Sequence, residues 1–95
     1  MTLTDRIVPK PDVIFRALGA EAVVLNLQSG TYFGLNSVGT RIWLLLEHHD
    51  LARTCEQLEA EYDAPRERIK SDVLALVDSL EGKGLVERRA RTTDA

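Results

Sequence analysis

The side chains with catalytic or metal-binding chemistry are few and poorly spaced for either task. A nucleophile needs a base within hydrogen-bond reach, and a metal needs several converging ligands. Cys55 falls on the apolar stripe of a predicted helix, where a buried structural thiol is typical. His48 and His49 are adjacent, so on a helix they point about 100° apart and cannot easily hold one ion. With no phosphate loop or serine motif, the sequence predicts a non-enzyme without metal or cofactor.

The totals favour one small domain. The chain has 95 residues and a net charge of −3, which suits a single core. Outside residues 88–95, 9 basic side chains stand against 14 acidic ones, a balance unlike that of proteins that neutralise phosphates. One cysteine excludes an intrachain disulfide, and neither a signal peptide nor a membrane-spanning run is evident. We therefore expect a cytoplasmic protein that binds neither nucleic acid nor membrane.

The stretch that indicates most about function predicts a β-hairpin of strands 22–28 and 31–35. Asn26 and Gln28 have one parity, and the apolar residues of the other parity are expected to face the core. These are Val23, Leu25 and Leu27. Gly30 can supply the left-handed conformation that the short connection needs. The sequence thus predicts both the turn and the buried face of this hairpin.

The second strand of this hairpin could present an open edge. Unpaired backbone N–H and C=O groups on an edge are a docking surface for an added strand. Tyr32 and Phe33 are neighbours, so one ring must face away from the packed side of the sheet. That ring either covers another loop or walls a groove for an extended peptide. Gly34 would let a partner backbone come close.

The whole pattern predicts an α+β domain, a three-stranded antiparallel meander followed by three helices. Residues 1–11 read as an extended lead-in, and 13–18 as the first strand of the meander. Asn36 or Ser37 is expected to cap the first helix. Its apolar face comprises Val38, Ile42, Leu45 and Leu46, whereas the second helix carries Leu51, Cys55, Leu58 and Tyr62 at helical spacing.

The third helix is predicted to follow a cap at Asp63 and to end at Gly82 and Gly84. Its expected buried stripe comprises Ile69, Val73, Leu76 and Leu80, with Leu74 and Val77 on one flank and Asp72 on the other. Residues 85–87 could add a wing strand. The chain from Arg88 onwards is expected to fray, with 89–95 as a flexible basic tail.

The last two helices also resemble a helix-turn-helix, which leaves a winged-helix DNA-binding regulator as the alternative function. In that case Arg66, Arg68 and Lys70 would begin the recognition helix, and the terminal arginines would contact phosphates. Acidic residues on the same two helices would repel a phosphate backbone. They are Glu56, Glu59, Glu61, Glu67, Asp72, Asp78 and Glu81.

Several short motifs together resemble the PqqD-like family, the domains called RiPP recognition elements, which bind leader peptides of ribosomally made, post-translationally modified peptides. They are Val24-Leu25-Asn26-Leu27, Gly30-Thr31-Tyr32-Phe33-Gly34-Leu35-Asn36, Val38-Gly39, Asp72-Val73, Leu80 and Gly84-Leu85-Val86. The run from Gly30 and the Gly-Leu-Val ending look most like the stand-alone elements of lasso-peptide clusters.

The resemblance implies a winged-helix-like fold over residues 12–88, in which the leader peptide adds a strand to the third strand of the meander and lies against the third helix. The peptide-binding residues that it implies are Thr31, Tyr32, Phe33, Gly34, Leu35, Ile69, Asp72, Val73 and Leu76. It also implies a separate partner, either a leader peptidase that resembles a cysteine protease or another modifying enzyme. From the residues alone, the flank with Leu74 and Val77 could equally wall the groove.

Overall fold

The computed structural model describes residues 5–89, which form two small sheets and three helices. The elements are β1 (Arg6–Pro9), β2 (Val13–Leu18), β3 (Glu21–Asn26), β4 (Tyr32–Leu35), α1 (Ser37–Leu46), α2 (Leu51–Glu61), α3 (Arg66–Gly82) and β5 (Val86–Arg89). The predicted class is confirmed, since an antiparallel sheet in the order β2-β3-β4 precedes the three helices. No helix among these residues is long and apolar enough to cross a bilayer.

The turn between β3 and β4 is built around one asparagine. Asn26 Oδ1 accepts the backbone N–H groups of Gln28 and Ser29, at 2.9 and 3.1 Å. Because these N–H groups turn inward, β3 ends at Asn26 rather than at residue 28. Gly30 has a φ of 77°, the left-handed conformation that the sequence predicts there.

The predicted core face of β3 is wrong by one residue. Ala22, Val24 and Asn26 are buried, whereas Val23 and Leu25 are only half-buried. Leu27 is 59% exposed. The sequence of β3 does not identify its core face, because apolar residues occur on both faces of the strand. The face that is buried is the one that carries Asn26. Its amide Nδ2 donates to the carbonyl of Gly84 at 3.1 Å, which ties the hairpin turn to the end of α3.

Side-chain caps begin the first two helices. Asn36 Oδ1 accepts from the Gly39 N–H at 2.7 Å, as predicted, and Asp50 does the same for Arg53 at 2.9 Å. The predicted cap at Asp63 is wrong. The N-cap of α3 is Pro65, which makes no side-chain capping bond. The ring of Pro65 fixes its φ at −61°, a value that suits the step from the extended chain into α3.

Two residues predicted to be buried lie at the border of the core. Val38 is 40% exposed, and Leu76 is half-buried. In α3, Val77 is 1% exposed and takes the place of Leu76 on the buried face. The buried residues of the helix are therefore Ile69, Val73, Val77 and Leu80. Both border residues face the space between α1 and α3.

The predicted lead-in contributes a strand. β1 pairs antiparallel with β5, from Arg6↔Arg89 to Pro9↔Val86, and Ile7 enters the core at 3% exposure. The wing strand predicted at 85–87 is β5, and it includes Arg88 and Arg89, which were expected to fray. Residues 1–4 of the lead-in and 90–95 of the predicted tail lie outside the described residues.

Candidate peptide-binding edge and groove

The last strand of the meander has one unpaired side. β4 pairs only with β3, so its other side is an edge of the sheet. The Asn26 N–H donates to the Thr31 carbonyl at 2.8 Å, and the register continues as Val24↔Phe33 and Ala22↔Leu35. Antiparallel pairs alternate between bonded and non-bonded residues. The N–H and C=O groups of Tyr32 and Gly34 therefore point away from β3, along the open edge.

The inner end of this edge opens into a groove between the beginning of α1 and one flank of α3. Its lining residues are Asn36, Val38, Gly39, Ile42, Asp72 and Leu76. Gly39 makes a close approach possible, because a Cβ there would lie 3.3 Å from Asn36 Oδ1 and 3.4 Å from the Leu35 side chain. The Thr40 hydroxyl donates to the Leu35 carbonyl at 3.5 Å, which further ties the end of β4 to α1.

A second, more apolar pocket adjoins this groove between the three helices. It has a volume of about 190 Å³ and shares Val38, Ile42 and Asp72 with the groove. Its other lining residues are Leu58, Tyr62, Ala64, Arg68, Ile69 and Val73. The groove and the pocket together form one concave surface, which begins at Asn36, the residue after β4.

The strand residues implied by the resemblance divide between the two faces of the sheet. Tyr32 is 67% exposed and lies with Gly34 on the outer face, whereas Phe33 is half-buried and packs against the core. Leu35 is 3% exposed, so its side chain belongs to the core. Thr31 precedes the strand, where its carbonyl accepts from Asn26.

The four helix residues implied by the resemblance meet at the concave surface. Asp72 lines both the groove and the pocket, and Leu76 lines the groove. Ile69 and Val73 line the pocket but are 6% and 0% exposed. The opposite flank is turned elsewhere, since Val77 is 1% exposed and Leu74 packs against the core. The geometry thus favours the Asp72 flank as the wall nearest β4.

Sequence reasoning missed three lining residues at the beginning of α1, namely Asn36, Val38 and Gly39. Asn36 was interpreted as a cap and Val38 as a core residue, and both were included among the motifs of the resemblance, but neither was assigned to the binding site. Only the tertiary position of α3 turns these residues into a wall.

Several charged side chains of the three helices are committed to ion pairs. Arg41 holds Glu61 with two contacts of 2.8 and 2.5 Å, linking α1 to α2. The hydrogen bond from Arg41 lowers the pKa of Glu61 to about 2. Arg66, a candidate phosphate contact, is paired with Glu59 at 3.0 Å. Arg68 and Asp72 remain at the surface itself, with one charge of each sign.

Cys55 and the two adjacent histidines line different depressions of the surface. Cys55 is 7% exposed, and burial raises the pKa of its thiol, which disfavours the thiolate. His48 and His49 lie in the turn after α1, beside Arg6 and Arg53. Within residues 5–89, no three His, Cys, Asp or Glu side chains come together as a metal site.

Comparison with known protein sequences identifies one family. Residues 21–86 match the family model described as coenzyme PQQ synthesis protein D (PqqD). No curated protein sequence matches significantly.

Two solved structures share the fold over nearly their whole length. The structure described as TbiB1 in complex with the TbiA(beta) leader peptide is 36% identical, with a TM-score of 0.80, and the alignment covers 84% of this chain and 94% of that one. Lasso peptide synthetase B1 complexed with the leader peptide is 28% identical, with a TM-score of 0.72 and coverages of 88% and 98%. The family model spans well over half of the chain, and the two structures match its fold over 84% and 88% of its length, so this protein belongs to the PqqD family and is a PqqD-like RiPP recognition element.

Proposed function

We propose that this protein is a cytoplasmic, non-catalytic adaptor of lasso-peptide biosynthesis. It binds the leader segment of a precursor peptide as an added strand on β4 and delivers the precursor to a separate processing enzyme, a leader peptidase. Both structural neighbours are described as complexes with a leader peptide, which supports the class of ligand. The fold and length of the chain match those neighbours closely.

The observation that carries the proposal is the open edge of β4 beside a concave apolar surface. The outward groups of Tyr32 and Gly34 can pair with any extended backbone, so they provide affinity without sequence preference. Alternate side chains of an added strand would lie on the inner face, towards Val38 and Leu76. These inward side chains would contribute specificity.

The energetics require both parts of the site. Micromolar binding corresponds to about −8 kcal/mol. Strand hydrogen bonds contribute roughly 1 kcal/mol each after exchange with water, which does not offset the ordering of a flexible peptide. Burial of apolar side chains adds about 25 cal/mol per Å². The groove and the apolar pocket supply that surface next to the edge.

The test is fluorescence anisotropy with a labelled leader peptide taken from a precursor frame encoded beside this chain. Gly34→Pro removes an outward N–H without breaking a bond between β3 and β4. We expect affinity to fall roughly tenfold or more, because a hydrogen bond is lost and the ring obstructs the edge. Unchanged affinity in a folded Gly34→Pro variant contradicts strand addition on β4.

The matched control is Ala17→Pro on the opposite edge of the same sheet. The Leu27 N–H donates to the Asp12 carbonyl at 2.8 Å, so by alternation the Ala17 N–H also points away from β3. Both variants therefore remove one outward N–H, each on a different edge of the sheet. Ala17→Pro should bind the leader peptide as the unchanged protein does, and circular dichroism should find both variants folded.

A salt series separates this function from DNA binding. Phosphate binding falls steeply with salt because counterions are released, whereas strand addition with apolar contacts depends on salt much less. The exposed face of α3 carries Glu67 and Asp78 beside Ser71, which is unfavourable for phosphates. We expect leader binding to persist at high salt. Salt-sensitive binding to duplex DNA, with none to the peptide, would instead favour the winged-helix regulator.

The adaptor role is tested by mass spectrometry of the precursor peptide. The protein alone should leave the precursor mass unchanged, whereas adding the separate peptidase should give cleavage that this protein accelerates. Cys55→Ala should accelerate cleavage equally well, because Cys55 is buried in the core and takes no chemical part. Cleavage by this protein alone, abolished by Cys55→Ala, contradicts the non-catalytic role.

A further inference from the structure

We propose that the outer face of β4 holds a specificity subsite, a notch over Gly34 that receives one large apolar side chain, aromatic or branched, of the bound peptide. This rests on the proposed strand addition to β4 and concerns the face of the sheet away from the groove. The notch is bounded by Gly34 as its floor, Tyr32 as one wall and Val23 at its back.

The notch exists because a glycine interrupts an apolar outer face. Tyr32 and Gly34 share that face, and the register places them opposite Leu25 and Val23 of β3. A Cβ on Gly34 would have no atom within 4 Å, so the space above it is open. Tyr32 is 67% exposed, and Val23 is half-buried. An apolar surface thus surrounds a gap of one side chain at the edge itself.

An added strand, parallel or antiparallel to β4, would place one of its side chains over this gap. Side chains directly opposite one another in neighbouring strands lie on the same face. The peptide residue opposite Gly34 therefore projects over the outer face, where no Cβ opposes it. A large ring or branched chain can lie across Gly34 against Tyr32 and Val23, and an aromatic ring there gains an aromatic pair with Tyr32.

A charged or small side chain would gain little at this position. Alanine does not reach across the glycine, and a carboxylate or ammonium group would lie against Tyr32 and Val23 without a charged partner on those residues. Two charged residues share this face, namely Glu21, two residues before Val23 on β3, and Arg16 on the far strand opposite Val23, and neither lies directly opposite Gly34. The subsite thus selects size and apolar character.

The experiment measures how strongly a substitution of Gly34 changes the effect of a substitution at each position of the peptide. The labelled leader peptide encoded beside this chain is replaced by alanine one residue at a time, and each peptide is titrated against the unchanged protein and Gly34→Val. Valine fits the open space and suits a strand, so the variant should fold with an undiminished Tm. Ala17→Val, on the opposite edge, controls for added bulk in an edge strand.

One large apolar peptide residue should stand out. Its replacement should weaken binding to the unchanged protein and to Ala17→Val roughly tenfold, but to Gly34→Val less than twofold, because valine already occupies the notch. If the unchanged protein binds and no position couples to Gly34 by more than twofold, the subsite is refuted while strand addition stands. If the unchanged protein binds no leader peptide, the proposed function fails as well.

Discussion

At the residue scale, one buried amide joins three parts of the fold. The Asn26 side chain accepts from Gln28 and Ser29 in the turn and donates to the Gly84 carbonyl after α3. Buried polar groups left without partners destabilise a protein by about 1–3 kcal/mol each. We expect Asn26→Ala to lower the free energy of unfolding by roughly 2–3 kcal/mol, measured by urea denaturation.

The control for this prediction is Gln28→Ala, in the same turn, where the side chain is exposed. It should change the free energy of unfolding by less than about 0.5 kcal/mol. An Asn26→Ala variant as stable as Gln28→Ala would mean that water replaces the lost bonds and that the amide is not a structural link.

Residues whose roles are local were predictable, and those with tertiary roles were not. The left-handed Gly30 and the Asn36 cap follow from bonds within a few residues. Asn26 was placed on the outer face, because nothing near it in sequence indicates a partner 58 residues away. Polar residues favour the solvent face of a strand unless a distant group satisfies them.

At the element scale, an ion pair joins α1 to α2 and should make stability depend on acid. The hydrogen bond from Arg41 lowers the pKa of Glu61 from its usual 4.5 to about 2. A lowered pKa means that the pair stabilises the fold above pH 4.5 and that this contribution is lost as the pH falls towards 2. Since both side chains are partly exposed, it amounts to at most about 1 kcal/mol.

The measurement is urea denaturation of the unchanged protein and Glu61→Gln at several pH values. The difference in free energy of unfolding should be largest above pH 4.5 and should shrink as the pH approaches 2. In an Arg41→Gln background the same substitution should have little pH dependence. A difference that does not vary with pH would show that the ion pair adds nothing to stability.

The strand β1 is the element that sequence analysis understated. Ile7 of β1 lies in the core at 3% exposure, and β1 forms a two-stranded sheet with β5. Two prolines and a short apolar run gave no periodicity to distinguish a strand from a lead-in. Ile7→Ala should destabilise the fold by about 2–4 kcal/mol, whereas Val8→Ala, half-buried on the same strand, should cost less than about 1 kcal/mol.

Thermal or urea unfolding compares these two variants directly. An Ile7→Ala variant no less stable than Val8→Ala would imply that β1 is dispensable, as a simple lead-in would be. That outcome would confine the stable domain to the elements from β2 onwards.

At the scale of the whole molecule, the class and order of elements were predictable because each element has its own local pattern. The buried faces of the helices were less predictable. Val77 takes the place of Leu76 on the buried face of α3, and Val38 lies outside the buried face of α1. These borders depend on how α1 and α3 pack on each other. The same packing creates the groove, so its lining at Asn36, Val38 and Gly39 emerges only in the folded chain.

The central claim is that an extended peptide pairs with the backbone edge of β4, and amide hydrogen exchange tests it most directly. Exchange is followed by NMR with and without saturating leader peptide. The amides of Tyr32 and Gly34 should become protected at least about tenfold, because each would enter a strand hydrogen bond, while those of Phe15 and Ala17 on the opposite edge should be unchanged. Unaltered exchange at Tyr32 and Gly34 with the peptide bound would contradict the account.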